Sequence, residues 1–434
     1  MTERHWPFLP SRNVAIDRAE GVYLVTRDGQ RILDAAGGAI VGNIGYGRQR
    51  VADAVYRATL DTTYVVPPWL TPSREALLGA LDNWLPESLT RVHVTSGGSE
   101  ANEAAMKMAV QYQAAIGEPT RSRIIHRDLS YHGTTLATTA VSGHEGRRRG
   151  LERALTPYPV TPTPYPLRCP LGSHHADCGA FYVEALRATI QREGAETIAA
   201  FLAEPITGSS GGALVPPDDY WPAVRAMCDE FGILLIMDEV MTGFGRTGRD
   251  FACQHWSVLP DILVSGKGLA GGYAPLGGVF ATEQVGSALQ DAGFGVMFNT
   301  FGAHPAACAA AAEVLSILRE EDLVTRAAAA GETLSRLLED AFADHPRVVE
   351  CRGRGLLQAI EVVQDVETLE PFPQADNVTA RIVGKALGKG VFFYGGGTGS
   401  VRDIVCMGPP FIITDAELET LVAVLRESVD EVTR

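Results

Sequence analysis

The sequence predicts an α/β protein, with a large domain on a mainly parallel sheet and a smaller, discontinuous α+β domain drawn from both ends of the chain. Three observations predict it. The middle of the chain alternates strand-like and helix-like segments. Several of its strands are continuous apolar runs, which suits a parallel sheet covered on both faces. The N-terminal part holds only a hairpin, too few strands to stand alone, so it must pack with the C-terminal section. The boundaries expected are 1–60 and 320–434 for the smaller domain and 61–319 for the larger.

In chain order, 22–27 and 31–34 flank Asp28-Gly29, a strong hairpin signal. Strands are expected at Arg91–Thr95, 123–126, Ile198–Ala203, 233–237, 262–264 and 276–280. The helix after Gly98 carries Ala101, Ala105, Met108, Tyr112 and Ala115 at steps of four and three, one apolar stripe. Six prolines between Thr156 and Pro170 mark a surface loop inside the large domain. Residues 292–312 hold no charge, but Asn299, His304, Pro305 and three glycines exclude a membrane span, so the segment reads as buried interior. Towards the end, Val378–Gly388 reads as helix, 390–394 and 404–407 as strands, and Thr414-Asp415-Ala416-Glu417 as a capping box opening the last helix.

The chain has 434 residues, 37 basic and 52 acidic, for a net charge of −15. That balance argues against nucleic acid or an anionic membrane as the main partner. Met1–Pro7 has no apolar core of a signal peptide. The seven cysteines are mostly scattered singly, which fits a reducing compartment, with the cytoplasm expected. Cys169, His174, His175 and Cys178 match no standard zinc spacing, and no metal is expected.

There are only four lysines. Lys107, Lys385 and Lys389 read as solvated surface. Lys267 follows the strand 262–264 and stands among glycines, so it is desolvated and its pKa falls. A neutral amine there can form a Schiff base with a carbonyl; a phosphate-binding lysine or a buried ion pair is the other local reading. Asp238 closes an apolar strand at the carboxyl edge, where ligands of open α/β sheets bind. A protonated pyridine nitrogen would pair with it, and lysine plus aspartate is the pattern of pyridoxal phosphate chemistry; a helix cap or a bond to Arg246 or Arg249 is the structural alternative. Thr95-Ser96-Gly97-Gly98-Ser99 joins a strand to a helix N-terminus, a place for a phosphate or for a simple serine cap. Tyr131-His132-Gly133 puts an aromatic ring at the same edge. Gly243–Gly248 matches a dinucleotide fingerprint, but no amphipathic helix opens from it, so it is set aside.

Together these motifs resemble the class III pyridoxal phosphate-dependent aminotransferases, of aspartate aminotransferase-like fold type I with its seven-stranded sheet. The pieces that carry the resemblance are Ser96–Asn102, Tyr131-His132-Gly133, Glu204-Pro205-Ile206, Asp238–Gly248, Ser265-Gly266-Lys267 and Thr300–Pro305. The resemblance implies that Lys267 holds the cofactor and shuttles the proton, and that Asp238 pairs with the pyridine nitrogen. It implies that Gly98 and Ser99 hold the phosphate, that Tyr131 and Val240 pack on the two ring faces, and that His132 and Glu204 belong to the cofactor site. Thr300 resembles a threonine that reaches the phosphate of the neighbouring subunit, which implies a homodimer with shared sites and leaves a tetramer open. Ser209 stands where ornithine- and GABA-type members carry a glutamate, and Met241 where they carry a glutamine. Both departures make the chain look like the amine:pyruvate (ω-) transaminases. In that group the segment from Gly395 to Pro410 bears a mobile arginine, for which Arg402 is the candidate. Trp69, Tyr64, Ile40 and Val41 would line the entrance. The implied reaction is ping-pong transfer of an amino group from a primary amine or ω-amino compound to a keto acid, pyruvate first; an aminomutase or racemase on the same scaffold is the alternative.

Overall fold

The computed structural model describes residues 14–294 and 298–434. Strands β1 (Ile16–Glu20), β2 (Tyr23–Thr26) and β3 (Arg31–Asp34) open the chain. The middle carries β4 (Arg91–Thr95), β5 (Arg123–Arg127), β6 (Val160–Thr161), β7 (Ile198–Ala203), β8 (Leu234–Asp238), β9 (Ile262–Ser265) and β10 (Gly277–Ala281). The C-terminal section adds β11 (Val348–Arg354), β12 (Leu357–Val362), β13 (Val391–Phe392), β14 (Tyr394–Thr398) and β15 (Val401–Met407), then the helix Asp415–Thr433.

The middle strands form one seven-stranded sheet in the order β4-β10-β9-β8-β7-β5-β6. Only β10 runs against its neighbours. Every residue of β7 and β8 is buried. The reason is two-sided packing: Leu234, Ile236, Ile262 and Val264 join one apolar cluster while Leu235, Met237 and Leu263 join another. Side chains alternate faces along a strand, and here both faces are covered, so the run reads as continuously apolar. The helix Gly98–Ala115 lays Ala101, Ala105 and Tyr112 on one of these faces, as its stripe predicts.

The N-terminal hairpin becomes a four-stranded sheet, β1-β2-β3-β13, in which β13 from the C-terminal section pairs parallel with β3. A third sheet, β11-β12-β15-β14, is antiparallel throughout. The capping box forms: Thr414 Oγ1 accepts from the Glu417 N–H, and the Glu417 carboxylate accepts from Thr414 N at 2.9 Å.

Three expectations are corrected. β1 carries almost no burial pattern, since four of its five residues are exposed, so it gives no periodic signal. The proline-rich stretch is not only a surface loop. It supplies β6, the edge strand beside β5, and buries Tyr165 at 4% exposure. The uncharged segment divides: the helix Pro305–Glu320 is largely buried, but Phe298 and Phe301 are 62% and 61% exposed. Residues 295–297 of that segment lie outside the described residues. Among the described residues no helix is long and apolar enough to cross a membrane.

Candidate active site

The carboxyl ends of β4, β5, β7, β8 and β9 meet at one edge of the seven-stranded sheet, where a doubly wound fold binds its ligands. A cavity of about 300 Å³ opens there. Its wall takes Gly98 and Ser99 from the first turn of the helix after β4, Tyr131 and His132 from beyond β5, Glu204 from just after β7, Asp238 and Val240 from the end of β8, and Lys267 from beyond β9. Eight of the site residues singled out in the sequence are thus brought together by five separate strand ends, and Val41, expected at the entrance, joins them on the wall.

Lys267 sits in a tight turn with φ of +34°, a left-handed conformation that a non-glycine residue holds only when its surroundings fix it. The turn is closed by bonds from Leu269 N to Gly266 O (2.8 Å) and from Gly271 N to Lys267 O (2.9 Å). Burial pulls the amine down to about 8, although the Asp238 and Glu204 carboxylates pull it up. The other three lysines each pair with a carboxylate: Lys107 with Glu103, Lys385 with Glu431, and Lys389 with Glu427 and Glu431.

Asp238 is 3% exposed and held from three sides. Its Oδ2 accepts from Asn102 Nδ2 at 2.9 Å and from His132 Nδ1 at 2.7 Å, while Oδ1 accepts from Val240 N at 3.0 Å. Facing a carboxylate, His132 Nδ1 carries the proton and donates. Its backbone is pinned too, with its N–H on Ser142 Oγ and its carbonyl on Asn102 Nδ2. Asn102 is the residue that sequence reasoning left without a role. It occupies the buried face of its helix beside Ala101 and Ala105, and a polar side chain on an apolar face was the available signal.

Glu204 is buried, and desolvation raises its pKa. It accepts from Gly208 N (2.9 Å) and Tyr131 N (3.3 Å), and its own carbonyl is held by the buried Arg127 guanidinium. No serine side chain caps the Gly98 helix. Ser99 Oγ accepts instead from Thr134 N at 3.1 Å, and the first-turn N–H groups of a helix have no intrahelical partner. A Cβ on Gly98 would lie 3.0 Å from Val240 Cγ1, so glycine keeps this part of the cavity open.

Five expected site residues stand apart. Tyr64 is exposed and Ile40 is buried, and neither is on the cavity wall. Trp69 is 68% exposed and Thr300 is exposed; neither is on the cavity wall. Arg402 is not on it either: its guanidinium donates to Phe372 O at 2.5 and 3.1 Å and to Gly399 O at 3.1 Å. The fingerprint-like Gly243–Gly248 is a turn whose buried Arg246 donates to Gly42 O and Pro409 O, both at 2.6 Å.

The family model for class III aminotransferases matches residues 9–429. The chain belongs to the class III aminotransferases. The class uses pyridoxal 5'-phosphate. Among similar curated proteins, a putrescine–pyruvate aminotransferase of Pseudomonas aeruginosa is 34% identical over 96% of this chain and 90% of its own length. A diaminobutyrate–2-oxoglutarate transaminase of Halomonas elongata is 31% identical over 96% and 90%. Among solved structures, an (S)-enantioselective ω-transaminase from Thermomicrobium roseum superposes with a TM-score of 0.93 at 35% identity, covering 99% of this chain and 97% of the other.

The cavity fits the class cofactor. It offers a single amine of lowered basicity, a helix N-terminus with a serine beside it, and a buried carboxylate whose Oδ1 accepts one bond among the described residues. That oxygen retains acceptor capacity for a protonated ring nitrogen.

Proposed function

We propose that this aminotransferase moves the amino group of a primary amine or ω-amino compound to a keto acid, with pyruvate as the acceptor, in two half-reactions on one site. The observation that carries the reading is Lys267: one amine, desolvated at the sheet edge, sharing a cavity with the triply held Asp238. When bound, pyridoxal phosphate supplies the sink for the electron pair released as the donor's C–H bond breaks.

In this reading Lys267 Nζ carries the cofactor and then moves the proton between donor carbon and cofactor, a task suited to an amine near pH 8. Asp238 pairs with the ring nitrogen, and Asn102 with His132 keeps Asp238 oriented. Gly98, Ser99 and the helix N-terminus receive the phosphate. Tyr131 and Val240 take the two ring faces, and Glu204 fixes the loop that carries Tyr131 through the Tyr131 N–H. Met241, also on the wall, adds an apolar surface for the donor.

The same reading makes the working unit a homodimer, or a tetramer of such dimers, with Thr300 and Trp69 contributed across the subunit boundary. Support comes from the exposed apolar side chains Trp69, Leu70, Phe298 and Phe301, each more than 60% exposed in the single chain. It also treats 1–60 and 320–434 as one smaller domain and 61–319 as the larger, supported by the pairing of β13 with β3.

The test is a panel of amine donors with pyruvate and, separately, 2-oxoglutarate, with alanine or glutamate measured as product. Turnover that requires pyruvate supports the reading. Rearrangement or racemisation of the donor without any keto acid would assign the chain to the mutase or racemase class instead.

A further inference from the structure

A keto acid brings a carboxylate to an apolar cavity, and leaving that charge unpaired is costly. Most cations near the wall are already engaged. Lys267 is reserved for the cofactor. Arg246 gives its guanidinium to two backbone carbonyls, Arg402 to those of Phe372 and Gly399, and Arg148 to those of Thr139, Ala140 and Ser142 at 2.8 to 3.2 Å.

Arg147 differs from all of them. Its guanidinium carbon lies 4.0 Å from the centroid of the Tyr131 ring, which is itself part of the cavity wall. It is exposed, and no carboxylate among the described residues forms an ion pair with it. Its charge is felt at Lys267, whose basicity it lowers. The short helix Glu145–Arg148 that carries it is fixed at both ends. Arg148 ties it to three carbonyls, and Glu145 N donates to Thr398 Oγ1 of β14 at 3.1 Å.

We infer that Arg147 is the cation that receives the carboxylate of the keto acid, with the Tyr131 ring as the platform that holds its guanidinium at the mouth of the cavity. The inference rests on the transaminase reading above and names the specificity residue of that same site. A planar guanidinium stacked on an aromatic ring keeps its edge N–H groups free for a carboxylate. Because its side chain is exposed and reaches the cavity only through the Tyr131 ring, an apolar amine leaves it hydrated at little cost. One site then accepts both substrates without a large swing of Arg402.

The experiment compares wild-type holoenzyme with Arg147→Gln, Arg147→Lys and Arg402→Gln. The two half-reactions are followed separately by single-turnover absorbance, using pyruvate and the best apolar amine from the donor panel. Equilibrium titration with propionate and with propionamide, matched in shape but not in charge, adds a readout that a merely structural role would not move. Arg147→Gln is expected to weaken pyruvate and propionate about 5- to 30-fold, at the modest end for a charge-assisted pair because the group is solvated. Propionamide and the amine should stay within about twofold, Arg147→Lys should restore part of the loss, and Arg402→Gln should bind pyruvate as wild type does. Unchanged pyruvate and propionate affinity in Arg147→Gln, equal losses for amine and acid, or a selective loss in Arg402→Gln would each overturn the assignment. If the wild-type holoenzyme aminates no keto acid from any donor, the transaminase reading fails and takes this inference with it. Active wild type with unaffected Arg147 variants fails the inference alone.

Discussion

Lys267 can be titrated directly in the cofactor-free protein, because the chain has only three other lysines and all are ion-paired. Burial lowers Lys267 from an ordinary 10.5 to about 8. At pH 7.4 an amine with a midpoint near 8 is roughly 20% neutral, against roughly 0.1% at 10.5, so its nucleophilic fraction is roughly 200-fold larger. Pulse acylation with limiting reagent between pH 6 and 10, read peptide by peptide in the mass spectrometer, gives each lysine its own midpoint. Restricted access and the weaker nucleophilicity of a less basic amine reduce the rate advantage, so the midpoint is the diagnostic quantity. Lys267 should label with a midpoint near 8, and added pyridoxal phosphate should protect it. Lys389, held above its ordinary value by Glu427 and Glu431, should titrate last. The signs of the neighbouring variants follow from which charges act on the amine. Removing the negative charge of Asp238 or Glu204 (Asp238→Asn, Glu204→Gln) destabilises the protonated amine and moves the midpoint down; removing the positive charge of Arg147 moves it up. A Lys267 midpoint above 10, or shifts of the opposite sign, would refute the electrostatic account of the site.

Asp238→Asn should keep the fold but lose about 100-fold or more of the activity, and its thermal melt should drop, because an amide at that place turns an NH2 towards Asn102, His132 or the Val240 N–H and leaves a donor unpaired, at about 1–3 kcal/mol. Gly98→Ala should raise the dissociation constant for pyridoxal phosphate by pushing Val240 into the cavity; equilibrium dialysis should show Val240→Ala in the same chain recovering part of the loss, and no change in either would remove Val240 from the cofactor's surroundings. Homodimers of Lys267→Ala and of Thr300→Ala should both be impaired, and mixing them should raise activity above either parent. Confirmed mixed dimers without rescue would place Thr300 outside the neighbour's site. Arg352→Met should lower the urea midpoint by an amount worth about 3 kcal/mol, since it strips the carbonyls of Gly211 and Gly212 and leaves the Glu361 carboxylate only Arg168 and Tyr165; a midpoint unchanged from wild type would show that this buried pair adds nothing to stability.

The fold was legible wherever burial imposed a pattern. β7, β8 and β9 show themselves as apolar runs because both sheet faces are covered, and the Gly98 helix shows itself by its stripe. β1 leaves no trace because its side chains are mostly in solvent, and β6 is hidden by the prolines around it, which an edge strand tolerates. The cavity was legible because catalytic-type residues follow strand ends at fixed offsets, and Lys267 stood out simply because lysine is rare here. Asn102 escaped because its contribution is to hold Asp238, a contact between residues 136 positions apart. Hydropathy misread 298–301 for a physical reason: an apolar side chain destined for a core and one destined for another surface look alike in sequence. In sequence Arg147 is one of three consecutive arginines, with nothing to set it apart from a solvated turn. It is solvated, and only the position of Tyr131 reveals what its guanidinium faces.

The central claim is that this cavity transfers nitrogen from an amine to a keto acid through Lys267, and isotope transfer tests it most directly. Holoenzyme is given a 15N-labelled amine and unlabelled pyruvate, and the alanine formed is analysed by mass spectrometry, with Lys267→Ala run alongside. The account predicts 15N in alanine, in step with loss of nitrogen from the donor, and none in the variant. Alanine without label, equal labelling in Lys267→Ala, or a labelled donor that rearranges while pyruvate remains untouched would contradict it.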